Sequence, residues 1–311
     1  MKWVKTIAAL ALTVIGGAAV AQQNYIKLVV PFPPGDALET ATRVLADLAK
    51  DELGRQIVID NRPGASGFIA ADNVARSTDG QTFLLGTTAM MAITPYLKKA
   101  PYDPADLVPI AKVAEIIPVF SVSPNLNVNT WQDFVSLAQA HPGKYTYASP
   151  GEGTILHLSM EQLQQVAGIK LLHVPYKGMG PALQDFLGGQ IDVYAEPAII
   201  PQVLAGKAKA LALASDHRLP DLPNVPTFKE LGVKADERPW IGIFAPKSSP
   251  ATLGKQVEEA LRKAAAKPEY KAKLPPGVQP AFVGSADFTR EISSEQGTFK
   301  ALIQKLNIKM D

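Results

Sequence analysis

Strand-like and helix-like patterns alternate along almost the whole chain, and this alternation restricts the possible folds more than any other feature of the sequence. The apolar run at 26–32 has the length and composition of a buried strand. Apolar residues at helical spacing follow it as far as Gly54, a residue that can end a helix. Strand, helix and strand patterns then follow at 57–59, 66–77 and 82–86. This order predicts a parallel sheet with helices on both faces.

The alternation returns in the second half of the chain, after an apolar stretch at 107–122. A helix is predicted to begin at Thr130, where Asp133 is placed to return the capping hydrogen bond. The later patterns predict the strands 145–148, 170–174, 191–195, 208–214 and 240–245 and the helices 154–167, 181–187, 199–204, 251–267 and 285–306. We therefore predict an α/β protein with two lobes, each a mainly parallel sheet flanked by helices.

Two crossings between the lobes are predicted, near residues 122 and 238. Lobe 1 then consists of residues 22–122 and 239–311, and lobe 2 of residues 123–238. In open α/β sheets, ligands bind beyond the carboxyl ends of the strands, where the strand order changes direction. Two sheets that face each other in this way predict a ligand cleft between the lobes, which closes by a hinge motion.

The start of the chain has the pattern of a cleaved export signal. Lys2 and Lys5 give it a positive charge, and an uncharged apolar run follows at 6–20. This run is shorter than the roughly 20 residues of a membrane-spanning helix, and the segment at 19–21 fits a signal-peptidase site. These features predict a signal peptide at 1–21 and a mature protein in the periplasm.

The composition argues against several classes of function. The net charge is only +2 and no block of like charges is present, so nucleic acid is not expected as a partner. The chain has no cysteine and can form neither disulfides nor thiolate metal sites. The four histidines do not occur in pairs at metal-binding spacing, and no nucleotide-binding or hydrolase motif is present. We therefore expect no metal and no cofactor.

Three loops at predicted strand ends carry the candidate ligand contacts. The candidates are Pro33, Pro34, Gly35 and Asp36 in the first loop, Thr87 and Thr88 in the second, and Ser149, Gly151, Gly153 and Thr154 in the third, with His157 and Glu196 as further candidates. Glycine lets backbone N–H groups approach a ligand at a helix start, and the hydroxyl groups add donors. The pattern alone, however, is also typical of ordinary turns and helix caps.

Seven segments of the chain occur in the order and at the spacing of one known family. They are 30–35 (VPFPPG), 61–65 (NRPGA), 147–154 (YASPGEGT) with the HL pair at 157–158, 173–178 (HVPYKG), 189–192 (GQID), 205–207 (AGK) and 222–227 (LPNVPT). On these segments the chain resembles the Bug-type solute-binding proteins of tripartite tricarboxylate transporters. The resemblance covers nearly all of the chain after the predicted signal peptide.

The resemblance implies a periplasmic-binding-protein fold, the two-lobed Venus flytrap, that captures a small carboxylate. It implies delivery of this ligand to two membrane permease subunits, and the fold predicts a monomer. It also implies that backbone amides and small polar side chains of the cleft loops hold the ligand. The resemblance therefore favours the binding interpretation of the candidate residues, and a protein that is not an enzyme.

The chain departs from the family pattern in its charges. Asp36, Glu39, Glu152 and Glu196 place carboxylates where the family's fold has its cleft. Carboxylates that face a carboxylate ligand would repel it, so an amino acid, an amide or a cation would suit the site better than a plain dicarboxylate. The alternative is that Glu39 and Glu152 cap their own helix starts or point to solvent.

Two other functions stay open from the sequence. A sensor would bind the same ligands but would signal instead of feeding a permease. A hydrolase would use Ser149 as the nucleophile with His157 and Glu152, although residues five positions apart align poorly on a helix face.

Overall fold

The computed structural model describes residues 25–235 and 238–308. The predicted signal peptide at 1–21 lies outside the described residues. Within these residues, none of the helices is both long enough and apolar enough to cross a membrane.

The strands of the described residues are β1 (Tyr25–Val30), β2 (Gln56–Asn61), β3 (Thr82–Thr87), β4 (Leu107–Ile116), β5 (Val119–Val122), β6 (Thr146–Ser149), β7 (Leu172–Pro175), β8 (Val193–Tyr194), β9 (Lys209–Leu213), β10 (Trp240–Pro246) and β11 (Val278–Gly284). The α-helices are α1 (Ala37–Leu53), α2 (Phe68–Ala75), α3 (Thr94–Leu97), α4 (Trp131–Ala140), α5 (Ile155–Ala167), α6 (Met179–Leu187), α7 (Ile200–Leu204), α8 (Ala251–Ala265), α9 (Pro268–Lys273) and α10 (Ser285–Leu306). Short 3₁₀ turns lie at Ala65–Gly67, Pro104–Asp106 and Pro197–Ile199, and a π-turn at Ala89–Ile93.

The first sheet has the spatial order β11-β4-β10-β3-β1-β2. Strand β1 pairs in parallel with β2 and β3, whereas β10 is antiparallel to β3 and β4, and β11 is antiparallel to β4. Strands β1 to β4 therefore all run in one direction, and β10 and β11 run against them.

The second sheet has the order β7-β6-β8-β5-β9. Strand β6 pairs in parallel with β7 and β8, and β5 is antiparallel to β8 and β9, so only β5 opposes the common direction. Helices flank both sheets. The prediction of an α/β protein with two sheets flanked by helices is confirmed, but the sheets are mixed and not mainly parallel: three of the five neighbouring strand pairs in the first sheet and two of the four in the second are antiparallel.

The chain passes from the first sheet to the second at Ile117 and Pro118, between β4 and β5. Strand β5 pairs with β8 and β9 and does not extend β4, and the predicted crossing near residue 122 lies a few residues further along the chain. Pro118 has no N–H to give to a ladder, which favours a break in pairing at this point. The return crossing lies between the end of β9 and Trp240. The division of the whole chain into lobes stays a prediction.

Helix α9 and strand β11 have no counterpart among the predicted elements, because prolines interrupt their patterns. Pro268 occupies the first turn of α9, where its missing N–H costs nothing. Pro280 lies in the edge strand β11 beside a shift in register, which is one of the few strand positions that tolerate proline. Strand β8 is also shorter than the predicted strand at 191–195.

The carboxyl edges of the two sheets face each other across the crossings. Strand β4 ends at the same edge as β1 and β3, since all three run in one direction. Strand β5 runs against its neighbours and therefore begins at the edge where β6, β8 and β9 end. Only two residues separate β4 from β5, so these edges are held within roughly 10 Å of each other at the crossing.

Each sheet has its own hydrophobic core, and a smaller cluster joins the two halves. Leu45 belongs to the core of the first sheet and Phe120 to that of the second. In the joining cluster, Leu158 of α5 packs with Phe299 and Ile303 of α10. Helix α10 therefore packs against α5, which belongs to the half of the second sheet, and so joins the two halves.

A direct contact between the halves is made by Gly277, just before β11, and Pro197, just after β8. Gly277 has a φ of 75°, and a Cβ at this position would overlap with the Pro197 ring. We expect Gly277→Ala to lower the free energy of unfolding by about 2 kcal/mol more than Gly206→Ala does. Gly206 is the matched control, because its φ is 71° but nothing surrounds its missing Cβ. Urea unfolding measures the difference, and equal losses would contradict it.

Candidate functional site

The loop after β1 exposes its tip at the carboxyl edge of the first sheet. The segment 33–35 is exposed, and Gly35 has a φ of 86°, which glycine adopts without strain. Asp36 caps α1, since its carboxylate accepts a 2.8 Å hydrogen bond from the N–H of Leu38. The N–H of Ala37 has no acceptor among residues 25–235 and 238–308. This N–H is therefore available to a ligand oxygen at the helix start.

Glu39 lies in the first turn of α1, but its charge is compensated. Its side chain is 2% exposed, forms an ion pair with Arg43, and accepts a 3.3 Å hydrogen bond from the N–H of Gly35. Burial alone would raise the pKa of Glu39, but the bonds from Arg43 and Gly35 outweigh it and the pKa is lowered. Of the two interpretations made from sequence, the structure therefore supports capping, and Glu39 does not repel an anion from the cleft.

Thr87 and Thr88 follow each other at the end of β3 but differ in exposure. Thr87 is partly exposed, and its Oγ1 accepts a 3.3 Å hydrogen bond from the N–H of Met90. Thr88 is 2% exposed, and its Oγ1 accepts a 2.8 Å bond from the N–H of Trp240, at the start of β10. Thr87 can therefore meet a ligand, whereas Thr88 fixes β3 to the return crossing.

The loop at 149–154 takes the corresponding position in the second sheet, between β6 and α5. Gly151 and Gly153 have φ values of 130° and 71°, which L side chains rarely adopt. Thr154 caps α5: its Oγ1 accepts a 3.5 Å bond from the N–H of His157 and donates a 2.7 Å bond to the carbonyl of Gly151. The loop is thus held in one shape by its own bonds.

Backbone donors remain for a ligand at the start of α5. In the part of the chain that the structure describes, the N–H groups of Glu152, Ile155 and Leu156 have no acceptor. Unsatisfied N–H groups at a helix start carry partial positive charge and bind anions. The side chain of Glu152 is exposed. Helix starts with unused donors therefore lie at the carboxyl edges of both sheets.

The buried residues Ser149 and His157 contact the partly exposed His173 beneath this loop. Ser149 Oγ lies 2.6 Å from His173 Nε2, and the rings of His157 and His173 stack at 4.1 Å. His157 Nδ1 accepts a 3.1 Å hydrogen bond from the N–H of Gly153. Burial lowers the pKa of His157, and burial together with the adjacent His157 lowers the pKa of His173 to about 4. Both rings are neutral at pH 7 and supply no positive charge for a carboxylate.

The structure separates the candidate residues into two groups. The segment 33–36, Thr87, Gly151 and Thr154 lie at the loop surface or partly exposed. The buried candidates are Thr88, Ser149, Gly153 and His157, whose polar atoms are bonded within the protein. We interpret the buried group as residues that hold the loops in position, and their contact with ligand stays an untested prediction.

The hydrolase alternative needs correction in its geometry. The partner of Ser149 is His173 and not His157, because the loop turns Ser149 toward the neighbouring strand β7. Ser149 has no exposed surface, so a substrate cannot approach its Oγ.

Glu196 lies two residues after the end of β8. Its carboxyl group has no ion-pair or hydrogen-bond partner among the described residues, and burial raises the pKa of this group to about 7. It lines a mostly apolar pocket with a cavity volume of about 60 Å³. This hinge pocket is bounded by Pro118 and Pro239 of the two crossings and by one face of α5. Ile155 and Leu156, whose unused N–H groups lie at the start of α5, also line it, whereas residues 33–36, 87–88 and 149–154 do not.

The hinge pocket is the part of the site that the sequence patterns did not reveal. Ile155, Ser159 and Gln162 of α5 contribute to its wall. They lie at positions i, i+4 and i+7, so they share one face of the helix. This spacing could have indicated a shared helix face in the sequence. The apolar stripe that packs in the core, however, dominates the pattern of α5.

Comparisons with known sequences identify one family. The model of the family described as tripartite tricarboxylate transporter family receptor matches residues 41–308. The chain is 33% identical to a UPF0065 protein of Cupriavidus necator over 290 residues, which are 92% of this chain and 88% of that protein. It is also 33% identical to BugT of Bordetella pertussis over 282 residues, 87% of this chain and 85% of BugT.

Solved structures of related proteins share the fold. An R. palustris protein solved with adipate is 30% identical, with a TM-score of 0.75 over 92% of this chain and 98% of that chain. MatC from Rhodopseudomonas palustris, solved with bound malate, is 26% identical, with a TM-score of 0.69 over 90% of this chain and 98% of MatC. The two-lobed fold of periplasmic binding proteins is confirmed by this likeness. Together with the family match, it shows that the chain belongs to the tripartite tricarboxylate transporter receptors, the Bug family of solute-binding proteins.

Proposed function

We propose that this protein binds a small organic acid in the cleft between its lobes and delivers it to two membrane permease subunits. In this proposal it acts in the periplasm as a monomer and releases the ligand unchanged. The observation that carries the proposal is the arrangement of the sheets: both turn their carboxyl edges toward one cleft, and a helix starts there in each.

The unused backbone donors support a carboxylate as the anchoring group. The N–H of Ala37 at the start of α1 and those of Ile155 and Leu156 at the start of α5 have no acceptor within the described ranges. A carboxylate between them would accept bonds from both lobes and so favour the closed form. Two related proteins were solved with adipate and with malate, which are both dicarboxylates.

The four acidic residues near the cleft repel an anionic ligand less than four free carboxylates would. Arg43 compensates Glu39, and the carboxylate of Asp36 is engaged in the cap of α1. Glu196 lines the hinge pocket, which includes no residue of the two loops but extends to Ile155 and Leu156 at the start of α5. Only Glu152 of the four presents an exposed carboxylate beside a candidate loop.

Binding without catalysis is supported by the position of the one nucleophile considered. Ser149 is fully buried and engaged with His173 and the loop backbone. Transport is preferred to sensing because the matching family is described as a transporter receptor.

Titration calorimetry with adipate and malate tests the proposal. We expect at least one of these acids to bind, and we expect Ala37→Pro to weaken its binding about tenfold, since one charge-assisted N–H bond is lost. Proline is tolerated at the first helical position, and Asp36 before it has an extended ψ of 148°.

The matched control is Ala251→Pro at the start of α8. Its preceding residue also has an extended ψ, of 130°. Helix α8 follows β10, which runs against β3, so it starts at the edge away from the cleft. Failure of every acid to bind, or an equal loss of affinity in both variants, would contradict the proposal.

A further inference from the structure

The hinge pocket contains three polar groups that no other residue satisfies. Ser159 Oγ and Gln162 Oε1 are buried and have no hydrogen-bond partner among the residues that the structure describes. The Glu196 carboxyl lines the same cavity and is likewise unpaired within those ranges. Buried polar groups without partners are costly and uncommon in folded proteins. Two such atoms beside one cavity, next to the unpaired carboxyl of Glu196, indicate that a ligand completes their bonds.

The rest of the pocket wall is apolar. Its apolar side chains include Phe120, Leu156, Met160, Leu163 and Phe228. No described lysine, arginine or histidine lines the pocket. The occupant therefore needs an apolar body together with a polar group that reaches Ser159, Gln162 and Glu196.

The chemistry of these three groups distinguishes a cation from an anion. The Glu196 carboxylate and Gln162 Oε1 accept hydrogen bonds, and Ser159 Oγ can accept one as well. A primary ammonium group has three N–H donors, one for each of them. A ligand carboxylate has no donor to offer to these acceptors, and it would meet the negative charge of Glu196 whenever this carboxyl is ionised.

We propose that the hinge pocket binds the apolar end of a ligand that carries a primary ammonium group, with Glu196, Gln162 and Ser159 as its acceptors. This inference rests on the proposed solute-binding function and specifies the ligand end that faces the hinge. Because Pro118 and Pro239 of the two crossings also line the pocket, an occupant there touches the segments about which the lobes move.

Calorimetry with 2-phenylethylamine tests the inference, with 3-phenylpropionate and 2-phenylethanol as probes that keep the apolar body but change the polar end. We expect the amine to bind the wild type more tightly than either probe. Glu196→Gln should weaken amine binding at least tenfold, because a charge-assisted bond is lost, and Ser159→Ala about two- to tenfold. Glu152→Gln is the control, since its exposed carboxylate lies in the third loop and outside the pocket.

Two results would overturn the inference: no binding of the amine to the wild type, or amine binding that Glu196→Gln leaves unchanged. Circular dichroism of each variant verifies that it is folded, and Glu196→Ala serves as a second removal of the carboxylate. Titrations with adipate and malate on the same samples separate this inference from the proposed function. Loss of the acids alone would contradict the organic-acid proposal, whereas loss of the amine alone would contradict only the assignment of the hinge pocket.

Discussion

Replacing Glu196 with glutamine is expected to raise the free energy of unfolding by about 3 kcal/mol near pH 8 and to leave it unchanged near pH 4. The Glu196 carboxyl is held in the hinge pocket, where no described residue supplies a positive charge. Burial raises its pKa from 4.5 to about 7, so the folded protein holds this proton more tightly than the unfolded chain.

The direction of the pH dependence follows from these two pKa values. Below pH 4.5 the carboxyl is protonated in both states, so the wild type and the variant are equally stable. As the pH rises from 4.5 to about 7, ionisation is easier in the unfolded chain, and the wild type loses stability. Above about 7 the whole penalty is present and constant. Glutamine does not ionise, so the variant escapes this loss.

Urea unfolding of both proteins at three pH values across this range measures the effect. Glu152→Gln is the control, because it removes an exposed carboxylate and should leave the difference from the wild type small at every pH. Parallel stability curves for the wild type and Glu196→Gln would show that Glu196 is not buried as the structure has it.

The features that the sequence predicted correctly depend on residues close together in the chain. Gly54 ends α1 with a φ of 66°, as its place after the helical pattern indicates. Thr130 and Asp133 form the expected capping box at the start of α4. The ion pair of Glu39 and Arg43 is equally local, at a separation of four residues. This spacing is visible in the sequence, but the pair was not predicted.

The features that escaped prediction depend on partners far apart in the chain. Ser149 contacts His173, 24 residues later, and Thr88 contacts Trp240, 152 residues later. Sequence patterns located the loops that contain these residues, because loops follow strands. They could not show which side chains turn inward, since that depends on neighbouring strands whose pairing has no local signal.

The hinge pocket could not be predicted from the sequence for the same reason. Its wall combines α5, the end of β8 and both crossings, which come together only when the two sheets are in place. Glu196 was selected from its sequence position as a cleft residue, but its surroundings there were unknown. Whether a carboxylate repels a ligand or attracts one depends on those surroundings, and only the assembled structure gives them.

Lys112→Met is expected to lower the free energy of unfolding by about 3–5 kcal/mol, the largest effect we predict for a single side chain. Lys112 is 4% exposed in β4, and its Nζ donates 2.6 Å hydrogen bonds to Glu115 and to Glu291 of α10. Burial acts to lower the pKa of Lys112, but the two carboxylates outweigh it and the pKa is raised. The lysine is therefore charged, and methionine would leave two carboxylates together without the cation between them.

This cluster of charges also includes a residue of the return crossing between the lobes. Glu115 forms a 3.0 Å ion pair with Arg238 in the return crossing. Arg238 also forms a 2.8 Å ion pair with Asp216, just after β9. Lys112 thus helps to fix the carboxylate that anchors Arg238. We expect the loss of stability to be accompanied by faster proteolysis in the segment between β9 and β10.

Lys50→Met is the matched control, because Lys50 pairs with Asp47 at 3.1 Å on the surface of α1. Exposed pairs contribute little, so this change should cost less than about 1 kcal/mol. Adding Glu291→Gln to Lys112→Met should recover part of the loss, since it removes the charge of the carboxylate that loses its lysine partner, whereas Glu115 keeps its ion pair with Arg238. A loss in Lys112→Met no greater than that in Lys50→Met would mean that the buried cluster does not hold β4, α10 and the return crossing together.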